Sequence, residues 1–194
     1  MSEKSAQKKQ LIVKTARRIF IEKGYKNVTM KDIVEACNIS RGGLYLYFSS
    51  VEEIFLEVLR VEESETDDVF SSELTEEATA TDVLMIFFKE QKKEILRRND
   101  DFSVAVYEYY FEKGLTKQDN PMRTKFDDGV NALISLLEAG IDSGEFYDVD
   151  VRAAAANIMF VLEGLRICAR TMGVTEGMVD DELLTLVSGI VAEV

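Results

Sequence analysis

Residues 29–53, TMKDIVEACNISRGGLYLYFSSVEE, carry the pattern of a helix-turn-helix together with its capping residues. Thr29 and Ser40 each stand where a side-chain oxygen can accept the first backbone N–H groups of a helix. Ser50 can cap a third helix, with a Glu three residues on as its partner in a capping box. Asn38 lies in the intervening turn and tolerates the left-handed backbone that a tight turn needs. The stretch therefore predicts three helices in close succession.

The middle helix, residues 41–47, has an unusual composition for a structural element. Gly42 and Gly43 stand side by side near its start, and a glycine costs about 1 kcal/mol relative to alanine in a helix interior. We expect such a helix to bring its backbone close to another molecule. The neighbouring side chains suit DNA base edges and phosphates: Arg41, Tyr45 and Tyr47. The pattern predicts DNA binding; the alternative is that these side chains are solvated or half-buried.

Charge is distributed unevenly along the chain, although the net charge of −13 by itself argues against a polyanionic partner. Residues 1–48 carry ten Lys and Arg against four Asp and Glu, a net charge of +6, and the remaining residues carry −19. A basic module joined to an acidic body is typical of a DNA-binding protein with a second function. The alternative is an ordinary solvated basic terminus.

The stretch from residue 8 to about residue 55 resembles the DNA-binding head of the tetracycline-repressor (TetR) family of bacterial transcription regulators. The shared motifs are Lys23-Gly24-Tyr25, Thr29-Met30-Lys31-Asp32-Ile33, Ser40-Arg41-Gly42-Gly43-Leu44-Tyr45 and Tyr47-Phe48. One position departs from the family pattern, because Val51 stands where the family commonly has a phosphate-contacting Lys.

The resemblance implies an all-α protein with a head at residues 1–49 and a helical body at residues 50–194 that binds an effector and forms dimers. It implies a double-stranded DNA operator and a small-molecule effector as partners. We expect DNA contacts from the following head residues: Thr29, Met30, Lys31, Ser40, Arg41, Gly42, Gly43, Tyr45 and Tyr47.

Other classes of protein are poorly supported by the composition. The chain has no histidine, which removes Ser-His-Asp and Cys-His chemistry and the commonest zinc ligand. No glycine-rich phosphate loop follows a strand pattern. No apolar run approaches 18 residues, so we expect a cytoplasmic protein without a membrane partner. We expect no catalytic site, metal or cofactor.

Helical periodicity continues through the body and predicts about nine helices in the whole chain. A long helix is expected at residues 50–69, a loop at 71–81, and a helix with Leu84, Phe88, Gln91 and Ile95 on one face that ends near residues 97–99. The remaining helices are expected at residues 102–113, from Asn120-Pro121 to Gly144, at 151–172 and at 177–191.

We expect homodimerisation through helices eight and nine, the last two. Helix eight is rich in small residues that permit close helix approach: Ala153, Ala154, Ala155, Ala156, Gly164 and Ala169. Helix nine has an apolar face that includes Val187, Ile190 and Val191. The alternative is that these faces pack on the chain's own core. A two-fold dimer would double the few base pairs that one recognition helix reads.

An effector site would need apolar and aromatic lining with a few polar groups. Candidate residues of this kind are Phe87, Phe88, Tyr107, Glu108, Tyr110, Phe111, Met159, Phe160 and Glu163. Glu163 lies in an apolar stretch, so its carboxylate is expected to be paired, with Arg166 as the structural partner, or to contact a ligand. Two other functions stay open: a DNA-binding regulator with a solid body that senses no ligand, and a small-molecule enzyme.

Overall fold

The computed structural model describes residues 3–73, 77–97, 102–114, 116 and 120–192, with residues 63 and 65–73 described for the backbone alone. Over these residues the protein is all-α, with nine helices and no strand, as the sequence predicts. The helices are α1 (Glu3–Lys23), α2 (Met30–Cys37), α3 (Arg41–Tyr45), α4 (Val51–Glu73), α5 (Ala80–Leu96), α6 (Ser103–Lys113), α7 (Pro121–Asp142), α8 (Val151–Thr171) and α9 (Glu176–Ser188).

Several helix ends differ from the predicted ones. Helix α4 ends at Glu73 instead of residue 69, and α5 begins at Ala80, so both helices extend into the predicted loop at residues 71–81. The predicted helix end at residues 98–99 lies outside the described residues. Helix α9 ends at Ser188 rather than at residue 191, because Ile190 and the residues after it pair with another segment of backbone.

The helices form two compact units. The first unit comprises Met1–Asp68 and Arg98–Leu115, and the second comprises Val69–Arg97 and Thr116–Val194. Helix α6 therefore belongs to the same unit as α1, α2 and α3, although 57 residues lie between the end of α3 and its start. The functional division between residues 49 and 50 stays a prediction.

Five aromatic rings form the centre of the first unit. Phe20 and Tyr25 come from the end of α1 and the turn after it, Phe55 from α4, and Phe102 and Tyr109 from the α6 segment. The ring centroid of Phe55 lies 4.8 Å from those of Tyr25 and Tyr109, and 5.1 Å from those of Phe20 and Phe102. Offset and edge-to-face pairs at these separations add to the stabilisation from burial. They fasten α6 to α1 and α4.

Apolar side chains of α5, α7, α8 and α9 form the core of the second unit, among them Leu84, Leu137, Ile158 and Leu183. After α9 the chain returns to the end of α7, where the Tyr147 N–H donates to the Ile190 carbonyl at 2.8 Å. None of the described helices combines the length and the apolar character that spanning a membrane requires.

Glu145 connects three segments of the second unit. Its carboxylate accepts the backbone N–H groups of Thr81 at 2.9 Å and Ala80 at 3.3 Å, at the start of α5, and the Ser143 hydroxyl at 2.8 Å. Its carbonyl accepts the Ala192 N–H at 2.9 Å. The bonds from Thr81, followed by that from Ser143, lower the pKa of the Glu145 carboxyl to about 2. The negative charge also suits a helix N-terminus.

We therefore expect Glu145→Gln to lower the thermal unfolding midpoint at neutral pH. The pKa of Glu145 is depressed in the folded state, so its stabilising contribution is present above the ordinary value of 4.5 and is lost as pH falls towards about 2. The difference in midpoint between the native protein and the variant should shrink across this range. Glu138→Gln, at an exposed position of α7, is the control and should leave the midpoint unchanged. A difference that is independent of pH would contradict the capping role.

Candidate nucleic-acid interface and effector site

Thr29 caps α2, as predicted, and forms a capping box with Asp32. The Thr29 hydroxyl accepts the Asp32 N–H at 3.3 Å, and the Asp32 carboxylate accepts the Thr29 N–H at 2.8 Å. The Lys23 amine lies 2.5 Å from the same carboxylate; its hydrogen bond, followed by those from Thr29, lowers the pKa of Asp32 to about 2. Met30 packs against the core of the first unit, whereas Lys31 projects into solvent. The box fixes where the exposed face of α2 begins.

The turn after α2 and the cap of α3 also follow the predicted pattern. Asn38 has φ 51° and ψ 46°, the left-handed conformation expected for it. The Ser40 hydroxyl accepts the Gly43 N–H at 3.0 Å. The Ser50 hydroxyl accepts the Glu53 N–H at 3.1 Å, but the Glu53 carboxylate reaches the backbone N–H of Ser49, at 2.7 Å, instead of that of Ser50.

Helix α3 is two residues shorter than predicted and has a buried and an exposed side. Leu44 and Phe48 are buried in the core of the first unit. The other side is open: Arg41, Gly42 and Tyr45 are exposed, and Gly43 and Tyr47 are half-buried. The structure thus brings the candidate residues of α3 together on one accessible surface, on the same compact unit as Thr29 and Lys31.

The two glycines of α3 have different surroundings within the protein. A Cβ added to Gly43 would lie 3.0 Å from the Ser40 hydroxyl, which is tight against the capping group. A Cβ added to Gly42 would meet nothing within 4 Å, and the backbone there does not have a positive φ. No contact or conformation within the described chain requires glycine at position 42. An external surface that approaches the backbone would require it.

Leu46 is a surface residue that the sequence analysis missed. Its side chain is 82% exposed at the end of α3, beside the half-buried Tyr47. The signal was present in the sequence, because a helix that buries Leu44 and Phe48 has no remaining buried position for Leu46. Exposed apolar side chains in a recognition helix can contact thymine methyl groups. Val51, the departure from the family pattern, packs against the core of the first unit.

Four of the nine effector candidates lie on α6 and therefore in the first unit. Tyr110 packs against its core, and Phe111 is 81% exposed. The Glu108 carboxylate accepts the Lys26 N–H at 3.3 Å and lies so close to Gly24 that a Cβ there would collide with it. Gly24 also has φ +73°, so glycine is needed at this position for two reasons.

Glu52 links the start of α4 to α6. Its carboxylate accepts the Tyr109 hydroxyl at 3.2 Å and the Lys113 ammonium at 2.6 Å. The bond from Lys113 lowers the pKa of Glu52, whereas burial, followed by the carboxylate of Glu52, raises the pKa of Tyr109 to about 12. This cluster holds the carboxylate charged and the phenol neutral at neutral pH.

The other candidates lie in the second unit. Phe88 is buried in its core, with Phe87 and Met159 packed against that core. The Glu163 carboxylate accepts the Arg166 guanidinium at 3.0 Å, and the guanidinium also donates to the Gln91 side chain on α5. Both charged side chains are about one-quarter exposed, at 25% and 26%. The expected structural partner of Glu163 is thus present.

Two shallow depressions stand out on the described surface. One, of about 520 Å³, is lined by lysines and an arginine of α5 with Leu96 and Glu176. The other, of about 370 Å³, lies between α1 and α2. Neither contains any of the candidate effector residues.

Comparison with known proteins matches both ends of the chain. The family model described as bacterial regulatory proteins of the tetR family matches residues 12–58, and the model described as a tetracyclin repressor-like C-terminal domain matches residues 83–180. YfiR, an uncharacterized HTH-type transcriptional regulator of Bacillus subtilis, is 31% identical over 147 residues, which cover 75% of this chain and 71% of that protein.

Two further proteins match over nearly the whole length. The HTH-type transcriptional repressor AcnR of Corynebacterium glutamicum is 28% identical over 194 residues, covering 97% of this chain and 95% of that protein. A protein from Saccharomonospora viridis, described as a transcriptional regulator and solved in complex with choline, has a TM-score of 0.83 at 22% identity, covering 97% of this chain and 100% of that one. At this identity the structural likeness concerns the fold.

Proposed function

The chain belongs to the TetR family of bacterial transcription regulators, and from that premise we propose that it is a ligand-responsive repressor, released from a palindromic DNA operator by a small apolar or aromatic effector. It is a DNA-binding transcription regulator, and members of its family bind operators, act as dimers and bind small molecules. The proposal adds the residues that contact DNA, the dimer interface and the class of effector.

The assignment of α3 as the recognition helix rests on Gly42. It is exposed at the second position of α3, has open space around it and occupies a conformation that alanine adopts freely. A residue that is unfavourable in a helix and unnecessary within the chain is expected where DNA approaches the backbone. Arg41 and Tyr45 flank it on the same exposed surface and supply groups that contact bases and phosphates.

Gly42→Ala should separate stability from DNA binding. Alanine is the better helix former, so the free energy of unfolding should rise by up to about 1 kcal/mol. The added methyl group should nevertheless weaken operator binding. Thermal unfolding and fluorescence anisotropy titration with an operator selected from a random duplex library measure the two effects.

The matched control for Gly42→Ala is Gly177→Ala. Gly177 is also the second residue of its helix, α9, and a Cβ there would likewise meet nothing within 4 Å. This substitution should leave operator affinity unchanged. If the native protein and Gly42→Ala bound the operator with equal affinity, DNA would not approach the backbone of α3 closely at Gly42.

Arg41→Ala should relax sequence preference if Arg41 contacts a base. The free energy of binding should weaken by about 1–3 kcal/mol on the selected operator and by much less on a scrambled duplex. Lys31→Ala should weaken binding to both duplexes nearly equally, because phosphate contacts carry no sequence information. Equal losses for Arg41→Ala on the two duplexes would assign Arg41 to the phosphate contacts.

Helices α8 and α9 are the proposed dimer interface, supported by an exposed stripe along α8. The stripe consists of Ala153, Asn157, Phe160, Gly164, Ile167 and Thr171, which recur every three or four residues. Phe160 is 66% exposed, Leu184 on α9 is 61% exposed, and Gly164 has open space around it. The expected interface role of Ile190 is wrong, because Ile190 is buried and Val187 and Val191 pack against the same core.

Leu184→Asp should therefore dissociate the dimer while leaving the fold intact. A charged side chain at the centre of an apolar interface would be desolvated without a partner. Sedimentation velocity measures the assembly, and circular dichroism verifies the helices. Met85→Asp places the same charge at another exposed apolar position, on α5, and should stay dimeric. A folded Leu184→Asp protein that sediments as a dimer would place the interface elsewhere.

The Glu163–Arg166 pair supports a preference for cationic effectors among the apolar and aromatic ligands. A half-buried carboxylate gains most from an opposite charge, and Arg166 now supplies that charge. A cationic effector would compete with Arg166 for Glu163. Choline, present in the Saccharomonospora viridis structure, is a cation of this kind.

Lipophilic cations and neutral aromatics should be screened for release of the selected operator. A 100-fold change in operator affinity requires about 2.7 kcal/mol of differential binding. Glu163→Gln should weaken the binding of the cations and leave that of the neutral ligands unchanged. Arg166→Met should strengthen the binding of the cations, because it removes the guanidinium that competes with them for the carboxylate. Potencies of the active cations that are unchanged in both variants would make the pair purely structural.

The second candidate is a regulator that senses no ligand. It is favoured by the packing of the second unit, where Phe88 is buried and Met159 lies so close to Gly129 that a Cβ there would be 2.8 Å from the Met159 methyl group. A screen in which no compound releases the operator, with native affinity for DNA retained, would favour this candidate.

A further inference from the structure

We propose that Lys8 contacts a DNA phosphate, so that the first turns of α1 form part of the DNA-binding surface beside α3. This inference rests on the proposed role of α3 and adds a residue outside the helix-turn-helix. It follows from where the Lys8 amine lies, from the absence of an acidic partner among the described residues, and from the contrast with Lys9.

The amino-terminal turns of α1 lie against the exposed side of α3. The Lys8 amine is 3.7 Å from the position that a Cβ on Gly43 would occupy. One turn earlier, the Ser5 hydroxyl donates to the Tyr47 hydroxyl at 3.4 Å. A DNA backbone that approaches Gly42 and Gly43 would therefore come within reach of Lys8.

The adjacent lysine has a different environment. The Lys9 amine lies 2.7 Å from the Glu57 carboxylate and 5.6 Å from the centroid of the Phe48 ring, so it is held by α4 and the core. No ion pair within the described part of the chain includes Lys8. Lys8 is thus a half-buried residue beside α3 whose amine has no acidic partner among the described residues.

An amine in this position has a clear chemical use. Lysine is a compact charge that pairs with phosphate and displaces a condensed counterion when it does so. Phosphate contacts fix the orientation of a protein on the duplex without reading sequence. Lys8 would thus set the angle at which Arg41 and Tyr45 enter the groove, and could replace the family's phosphate contact that Val51 lacks.

The test compares salt dependence in full-length variants. Lys8→Met, Lys8→Gln, Lys8→Arg and Lys14→Met are titrated over a series of KCl concentrations with the selected operator and with a scrambled duplex. Lys14 is the matched control, since it is an exposed lysine of α1 about 240° around the helix from Lys8. Thermal unfolding verifies that each variant is folded.

Both neutral variants of Lys8 should lose affinity by the same factor on the two duplexes. The slope of log affinity against log salt should become shallower by about 2. Each phosphate contact contributes about 0.9 to the slope, and a dimer would lose two such contacts, one from each subunit. Lys8→Arg should keep the native slope, and so should Lys14→Met. Slopes for Lys8→Met and Lys8→Gln equal to that of Lys14→Met would overturn the proposal while α3 kept its role. If Gly42→Ala also bound normally, the role of α3 itself would be wrong.

Discussion

The proposed DNA-binding surface depends on two buried side chains, one within a five-residue helix and one three residues after it. A helix as short as α3, Arg41–Tyr45, is unstable alone in water. The entropy lost in nucleating a helix exceeds the stabilisation from the hydrogen bonds of a single turn. Its two glycines lower that stability further. Leu44 and Phe48 compensate, since both are buried in the core that α1, α4 and α6 share. The open side of α3 can then hold residues chosen for another molecule.

Local signals account for what the sequence predicted well. The caps at Thr29, Ser40 and Ser50 involve residues three positions apart, so each can be recognised without knowledge of the fold. The placement of α6 could not be recognised in this way. It depends on the ring of Tyr109 packing on that of Phe55, and helical periodicity identifies an apolar face without its partner. The early end of α9 likewise depends on the backbone pairing of Ile190 with Tyr147.

Neighbouring residues of the same type have different roles, and only the three-dimensional environment separates them. Gly43 is confined by the hydroxyl that caps α3, whereas Gly42 faces open space. Lys9 is fixed by Glu57, whereas Lys8 lies beside Gly43 and has no acidic partner in the part of the chain that the structure describes. The sequence pattern assigned both glycines to DNA contact and did not distinguish the two lysines. The contact of Gly43 with Ser40 is local, but the contacts of the two lysines depend on how α1 packs against α3 and α4, on which composition and spacing carry no information.

Repression that is relieved by an effector sets a thermodynamic condition on the second unit. A ligand shifts an equilibrium only by its difference in affinity for the two states, so an effector that fitted both states equally would release no DNA. In the structure described, Phe88 is buried and Glu163 is paired with Arg166 and, through it, with Gln91 of α5. A ligand that takes the place of Arg166 on Glu163 must break the Glu163–Arg166 pair, whose guanidinium also holds the Gln91 side chain of α5. The free energy of that rearrangement is subtracted from the ligand's affinity. The same rearrangement would distinguish the liganded state from the structure described. A well-packed second unit can therefore still respond to an effector.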